Sequence, residues 1–150
     1  MYISENCNWT PYGTNPELDK KVDSHYFDDR YEVVKQGYGL DKLINDKAYE
    51  VREVVAEQGY GLDILINDED EGVRAAVARQ GYGLDKLIND EDYWVRLAVA
   101  RQGYGLDKLI DDEDKYVRRE AKDYLKYNGY KSISDWAKTN PDKVHGIMFV

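Results

Sequence analysis

The chain has 150 residues, a formal net charge of −9 and a pI near 4.7. That length supports one domain with a sizeable core, and the acidic balance argues against nucleic acid or an anionic membrane as a direct partner. A single cysteine excludes an internal disulfide framework, and no stretch approaches the roughly 20 apolar residues that a membrane-spanning helix needs.

The opening residues, Met1-Tyr-Ile-Ser-Glu-Asn-Cys7, carry neither a basic region nor an apolar run. No signal peptide is expected, and a cytoplasmic protein is inferred. Asn8-Trp9-Thr10 formally matches a glycosylation acceptor, a chance match in a chain without an export signal. Residues 1–13 lack periodicity. They are expected to form an irregular N-terminal cap in which Trp9 or Tyr12 covers the first repeat's open face.

Residues 14–35 read as a decayed repeat. Shifted by 22 positions, Leu18 falls on Leu40, Asp19 on Asp41, Arg30 on Arg52 and Val33 on Val55. Departures such as Lys21 against Leu43 suit a terminal unit with one face in water.

Residues 36–123 hold four clear copies, starting at Gln36, Gln58, Gln80 and Gln102. A fixed period in this range marks stacked supersecondary units that share a core. In the copy from Gln80 to Arg101, Asp90 is expected to cap a helix, with Glu91 and Asp92 in its first turn. Val95, Ala98, Val99 and Gln102 recur at helical spacing and define a buried stripe. Gly103 is expected to stop the helix at positive φ. Leu106, Leu109 and Ile110 then fit a short helix or a 3₁₀ turn. In the last copy Arg119, Glu120 and Lys122 replace Leu97, Ala98 and Ala100, so the stripe turns polar and the stack ends.

Residues 124–150 are expected to cap the stack. The next Gly-Tyr pair, Gly129-Tyr130, comes four residues late, which predicts a helix over 115–128 lengthened by about one turn. Ser132-Ile-Ser-Asp135 resembles a capping box opening a last helix with Trp136 and Ala137, ended at Asn140-Pro141. The apolar tail, residues 145–150, is expected to fold back on the final repeat, with docking to a partner as the alternative.

The pattern Asp90…Val95-Arg96…Val99-Ala100…Leu106…Leu109-Ile110…Asp112 resembles the leucine-rich variant repeat, a HEAT-like family. The resemblance covers residues 14–124. It implies an all-α fold: a right-handed α-solenoid of 22-residue repeats, each one α-helix plus one short 3₁₀-like helix. Here Gly-Tyr-Gly stands where the family commonly has proline. Some members carry an iron–sulfur cluster on an N-terminal cysteine motif; Cys7 alone does not supply it, so no cofactor or metal is expected.

Arg52, Arg74, Arg96 and Arg118, preceded by Arg30, form a ladder flanking the stripe. Pairing with Asp46, Asp68, Asp90 or Asp112 is the expected use, and an anion-binding row the alternative. Tyr38, Tyr60, Tyr82 and Tyr104 are expected to cover their own turns. Positions where near-identical copies differ are the ones free for partners. There Tyr93, Trp94, Leu97 and Tyr116 are expected to cluster on one face. Exposed aromatics rimmed by charge are enriched at protein interfaces.

Acidic tracts containing Asp68, Asp70, Asp92 and Asp114 add a ridge beside the aromatic cluster; residues 41–114 hold 19 acids against 9 bases. The primary expectation is a non-enzymatic module that binds a partner protein through the aromatic patch and the acidic ridge. The alternative is an acidic inhibitor of the phage counter-defence type. It would imitate the field of nucleic acid in a basic channel of a nucleic-acid-handling enzyme. His25, His145 and Cys7 lack the neighbours of a triad or a metal site, so no catalysis is expected.

Overall fold

A computed structural model describes residues 1–146. The tail expected to seal the last repeat therefore lies mostly outside the described residues. The chain divides into two compact units, Met1–Gln80 and Gly81–Val150.

The first unit contains α1 (Pro16–Val22), α2 (Phe27–Lys35), α3 (Leu40–Leu43), α4 (Tyr49–Glu57), α5 (Leu62–Leu65) and α6 (Glu71–Arg79). The second contains α7 (Leu84–Leu87), α8 (Tyr93–Arg101), α9 (Leu106–Leu109), α10 (Lys115–Tyr127), α11 (Ile133–Thr139) and a 3₁₀ turn, Pro141–Lys143. Long helices pack on long helices in sequence order: α2 on α4 and α4 on α6 in the first unit, α8 on α10 in the second.

The tandem aspartates divide the work of starting a helix. Asp70, Asp92 and Asp114 are the N-caps, and their carboxylates accept N–H bonds from residues two, or two and three, further on. The cap thus sits two residues later than the expected Asp90. Asp68, Asp90 and Asp112 each accept the backbone N–H of the capping aspartate at 2.9 Å. An aspartate closes such a local turn readily, and its partner two residues on is left to meet the helix.

Helices α2, α4, α6 and α8 end at a glutamine and α10 at Asn128, each followed by glycine in the left-handed region, as at Gly103 with φ 68°. The short segments are single turns of α-helix rather than 3₁₀: Leu43 N–H donates to Gly39 O at 2.9 Å, and Ile44 N–H to Leu40 O at 3.0 Å. Bonds from Lys42 to Gly39 and from Asn45 to Lys42 tighten their ends.

The buried stripe is apolar, with Val51, Val55 and Ala56 on α4, Val73, Ala76 and Val77 on α6, and Val95, Ala98 and Val99 on α8. Gln102, expected in the stripe, is only half-buried. Gln58 shows what that position does instead: its amide donates to Val34 O on α2. On α10, Arg119 and Lys122 are exposed, so the outer face of the last clear copy meets water.

The arginine ladder is an ion-pair device. Arg30 grips Asp46, Arg52 grips Asp68 and Arg96 grips Asp112, each pairing Nε and Nη2 with the two carboxylate oxygens. The remaining Nη1 donates to loop carbonyls of its own copy: Asp46 O for Arg52, and Asp90 O and Glu91 O for Arg96. Both partners are buried; side-chain exposure is 8% for Arg96 and 6% for Asp112. Arg118 keeps the loop contacts, to Asp112 O and Glu113 O, while position 134, 16 residues on, is a serine.

Both ends of the described chain lie along the Gly-Tyr-Gly turns. Thr10 N–H donates to Gly37 O at 2.8 Å, Gly39 N–H to Thr10 O at 2.8 Å, and Tyr12 N–H to the Asp41 carboxylate at 3.0 Å. Tyr2 N–H donates to Asp63, and Ser4 N–H to Gly59 O at 2.7 Å. Trp9 meets Tyr60 edge-on, with ring centroids 4.6 Å apart, so the arm spans two turns rather than covering one open face. In the second unit Gly105 N–H donates to Lys143 O at 2.8 Å, and His145 and Gly146 N–H groups to Asp107. Between α10 and that strap, Ser132 caps α11 by accepting from Asp135 N–H, and Trp136 is fully buried.

Three outcomes follow. Asp112→Ala strands the buried Arg96 guanidinium and should cost about 3–5 kcal/mol of unfolding free energy in a urea titration. For Asp68 and Asp112, burial works to raise the carboxyl pKa, but arginine and backbone N–H bonds outweigh it and hold both below the ordinary carboxylate value. A group lowered in the folded state stabilises it above the unfolded pKa, about 3.9 for aspartate. Urea midpoints should therefore stay level from pH 7 to pH 5 with respect to these pairs, then drop as pH falls through 4. Finally, α4 starts at Ala48, which has no capping side chain where α6, α8 and α10 have aspartate. Ala48→Asp should stabilise the protein by about 1 kcal/mol, read as a raised Tm.

Candidate protein-binding surface

The expected aromatic cluster forms. Tyr93 and Trp94 open α8, and Asp92 holds that end by accepting Trp94 N–H at 2.8 Å. Tyr116 occupies the matching place on α10, where Asp114 accepts Tyr116 N–H at 2.8 Å. Because α8 packs on α10, these starts lie side by side. Tyr93 stacks on Trp94 with centroids 5.3 Å apart, and Tyr116 lies 6.2 Å from Tyr93. The Lys115 ammonium sits 5.0 Å above the Tyr116 ring.

Trp94 is 51% exposed and Tyr116 52%. Neither is a core residue. Leu97, expected beside them on the surface, is 6% exposed, so it forms the floor. These residues line an open groove of about 560 Å³ that continues along Arg101, Arg119, Glu120 and Asp123. Arg101 reaches Glu120 across the two helices at 3.4 Å, and Arg119 meets Asp123 at 3.6 Å. Arg101 and Asp123 were not singled out in the sequence, and Glu120 only as one of the residues that turn the stripe polar. The signal was there, since 94, 97 and 101 on one helix and 116, 119, 120 and 123 on the other follow helical spacing.

The acidic residues are occupied differently from the aromatic ones. Asp68 is withdrawn into its pair with Arg52, at 8% side-chain exposure. Asp70, Asp92 and Asp114 are half-buried caps. Other carboxylates of these tracts face water: Glu69 and Glu113, at 93% and 86% side-chain exposure, and the exposed Glu71, Glu91 and Asp111.

Burial pushes the Cys7 thiol pKa up, away from the reactive thiolate. His25 lies against Tyr26, and His145 is exposed. Tyr38 does more than cover its turn: it donates to Asp19 at 2.6 Å and accepts from Asn15 N–H at 2.8 Å, anchoring the first helix. Among the described residues no helix is long and apolar enough to cross a membrane, and no three His, Cys, Asp or Glu side chains converge as metal ligands.

No family model matches the chain, and no curated protein matches its sequence.

Proposed function

We propose that the protein is a non-enzymatic interaction module whose groove between α8 and α10 takes a partner protein. The observation that carries this is the half-exposed Tyr93–Trp94–Tyr116 cluster over the Leu97 floor, bordered by charges of both signs. Rings held in place lose little freedom on binding, and aromatic anchors within a charged rim are typical of binding hot spots. The scaffold is read as a right-handed α-solenoid of 22-residue modules related to the leucine-rich variant repeats. Its support is the repeated helix-turn-helix unit and the recurring arginine–aspartate pair. The cytoplasm is the proposed location.

A second reading, an inhibitor that occupies a basic nucleic-acid channel, draws on the exposed Glu69 and Glu113. The capping and pairing roles of Asp68, Asp70, Asp92 and Asp114 weigh against it, since those carboxylates are committed to the fold.

Capture of partners from the native host with wild-type and Trp94→Ala protein tests the proposal. Trp94→Ala should fold with an unchanged circular dichroism spectrum and lose about 2 kcal/mol or more of binding. Binding that survives this change but collapses between low and physiological salt would favour the inhibitor reading.

A further inference from the structure

The groove between α8 and α10 does not stop at its rings. Tyr93 also borders a second open hollow, of about 360 Å³, where the two helices begin; Glu91, Asp92, Arg96, Glu113 and Asp114 complete its lining. Both hollows lie within the second unit. Their charges differ. The Arg96 guanidinium is already neutralised by the buried Asp112. Asp92 and Asp114 are spent on helix caps, while Glu91 and Glu113 are exposed. At the far end of the aromatic groove the charges cancel in pairs, Arg101 with Glu120 at 3.4 Å and Arg119 with Asp123 at 3.6 Å. The track therefore runs from an acidic end, over the rings, to a neutral end.

The rings are set to take a cation. Tyr93 stacks on the Trp94 indole with centroids 5.3 Å apart, and Trp94 is still 51% exposed. The face of an aromatic ring attracts positive charge through its quadrupole. The chain itself shows this at the edge of the cluster, where Lys115 Nζ sits 5.0 Å above the Tyr116 ring. A guanidinium suits such a place better than an ammonium. It is flat, so it stacks on a ring while its N–H groups fork toward a carboxylate. Arg96 makes that fork in the adjoining hollow, holding Asp112 through Nε and Nη2 and lying 3.5 Å from Glu113. Leu97, 6% exposed and one helical turn beyond Trp94, supplies an apolar floor.

We propose that the groove takes an arginine-bearing segment of the partner protein, its guanidinium stacked on the Tyr93–Trp94 pair and turned to Glu91 and Glu113, with an aliphatic neighbour over Leu97. This rests on the reading of the groove as a protein-binding surface and adds the chemistry of its ligand. Charge sets the direction of the segment. Its cationic end faces the starts of α8 and α10, and its apolar part runs toward the Arg101–Glu120 pair. An acidic segment would bring like charge against Glu91 and Glu113, which disfavours it.

The test uses the full chain, labelled with nitrogen-15, and the blocked peptide acetyl-Gly-Arg-Leu-Gly-amide beside its citrulline counterpart, which keeps the shape and removes the charge. Saturable shifts of the Trp94 indole N–H are expected. The citrulline peptide should bind about tenfold more weakly, having lost a cation–π contact and a charge-assisted bond. Glu91→Gln combined with Glu113→Gln should weaken the arginine peptide to the level of the citrulline one, without changing the circular dichroism spectrum. Equal binding of the two peptides, tighter binding of a glutamate peptide, or no Trp94 shift at millimolar peptide would overturn the arginine ligand. The groove is judged separately. Host partners whose capture needs Trp94 but ignores the glutamine pair keep the protein-binding surface and sink the arginine; partners that ignore Trp94 sink the surface. A Trp94 indole that shifts with protein concentration alone assigns the groove to a second copy. One that shifts when residues 147–150 are removed assigns it to the chain's own tail. Either result defeats a foreign segment.

Discussion

The fork between one copy's arginine and the next copy's aspartate is the constraint on which the architecture rests. Arg30, Arg52 and Arg96 each span from loop carbonyls of their own copy to a carboxylate 16 residues on. A guanidinium has five N–H donors in a fixed plane, so it ties two elements at a set distance and angle. The aliphatic stripe supplies the bulk of the stabilisation but little orientation, because valine and alanine packing tolerates sliding. The ion pairs supply register. The same aspartates turn the chain into the next long helix, so one carboxylate joins two copies and starts a third element.

Such a design frees the surface from structural duty. Once register is held by residues common to every copy, positions 93, 94, 97, 115, 116 and 119 can diverge without cost to stacking. In this chain they diverge toward rings and arginine. The groove between α8 and α10 is the product: a buried leucine beneath half-exposed aromatics, with one ion pair joining the two helices. The chain's ends follow a related logic. Thr10–Tyr12 and Lys143–Gly146 each bond to an aspartate that the repeat carries in every copy.

Much of the helical layout was legible because it depends on local rules. Long helices starting at Phe27, Tyr49, Glu71, Tyr93 and Lys115 follow from apolar spacing and terminating glycines, and the last three also from tandem aspartates. The lengthened α10 was visible in the late Gly129-Tyr130 pair. The candidate groove was half legible. Tyr93, Trp94 and Tyr116 stood out as places where copies disagree; Arg101 and Asp123 did not, and Glu120 stood out only as a mark of the apolar stripe ending, because a charge on a helix surface carries no sign of a groove.

By itself the amino-acid sequence determined the helical units, their order, the arginine–aspartate pairing and the aromatic cluster, all of which follow from neighbours three to 22 residues apart. Only the tertiary structure decided which aspartate caps and which is buried, since both satisfy the same local pattern and the choice turns on where the next arginine reaches. It also decided that Leu97 lies beneath the rings rather than beside them, and that Tyr2, Tyr12 and His145 lend their N–H groups to distant aspartates. Those bonds join residues 29 to 61 apart, and their donors are main-chain N–H groups, which every residue but proline carries alike and which therefore leave no mark in the order of side chains.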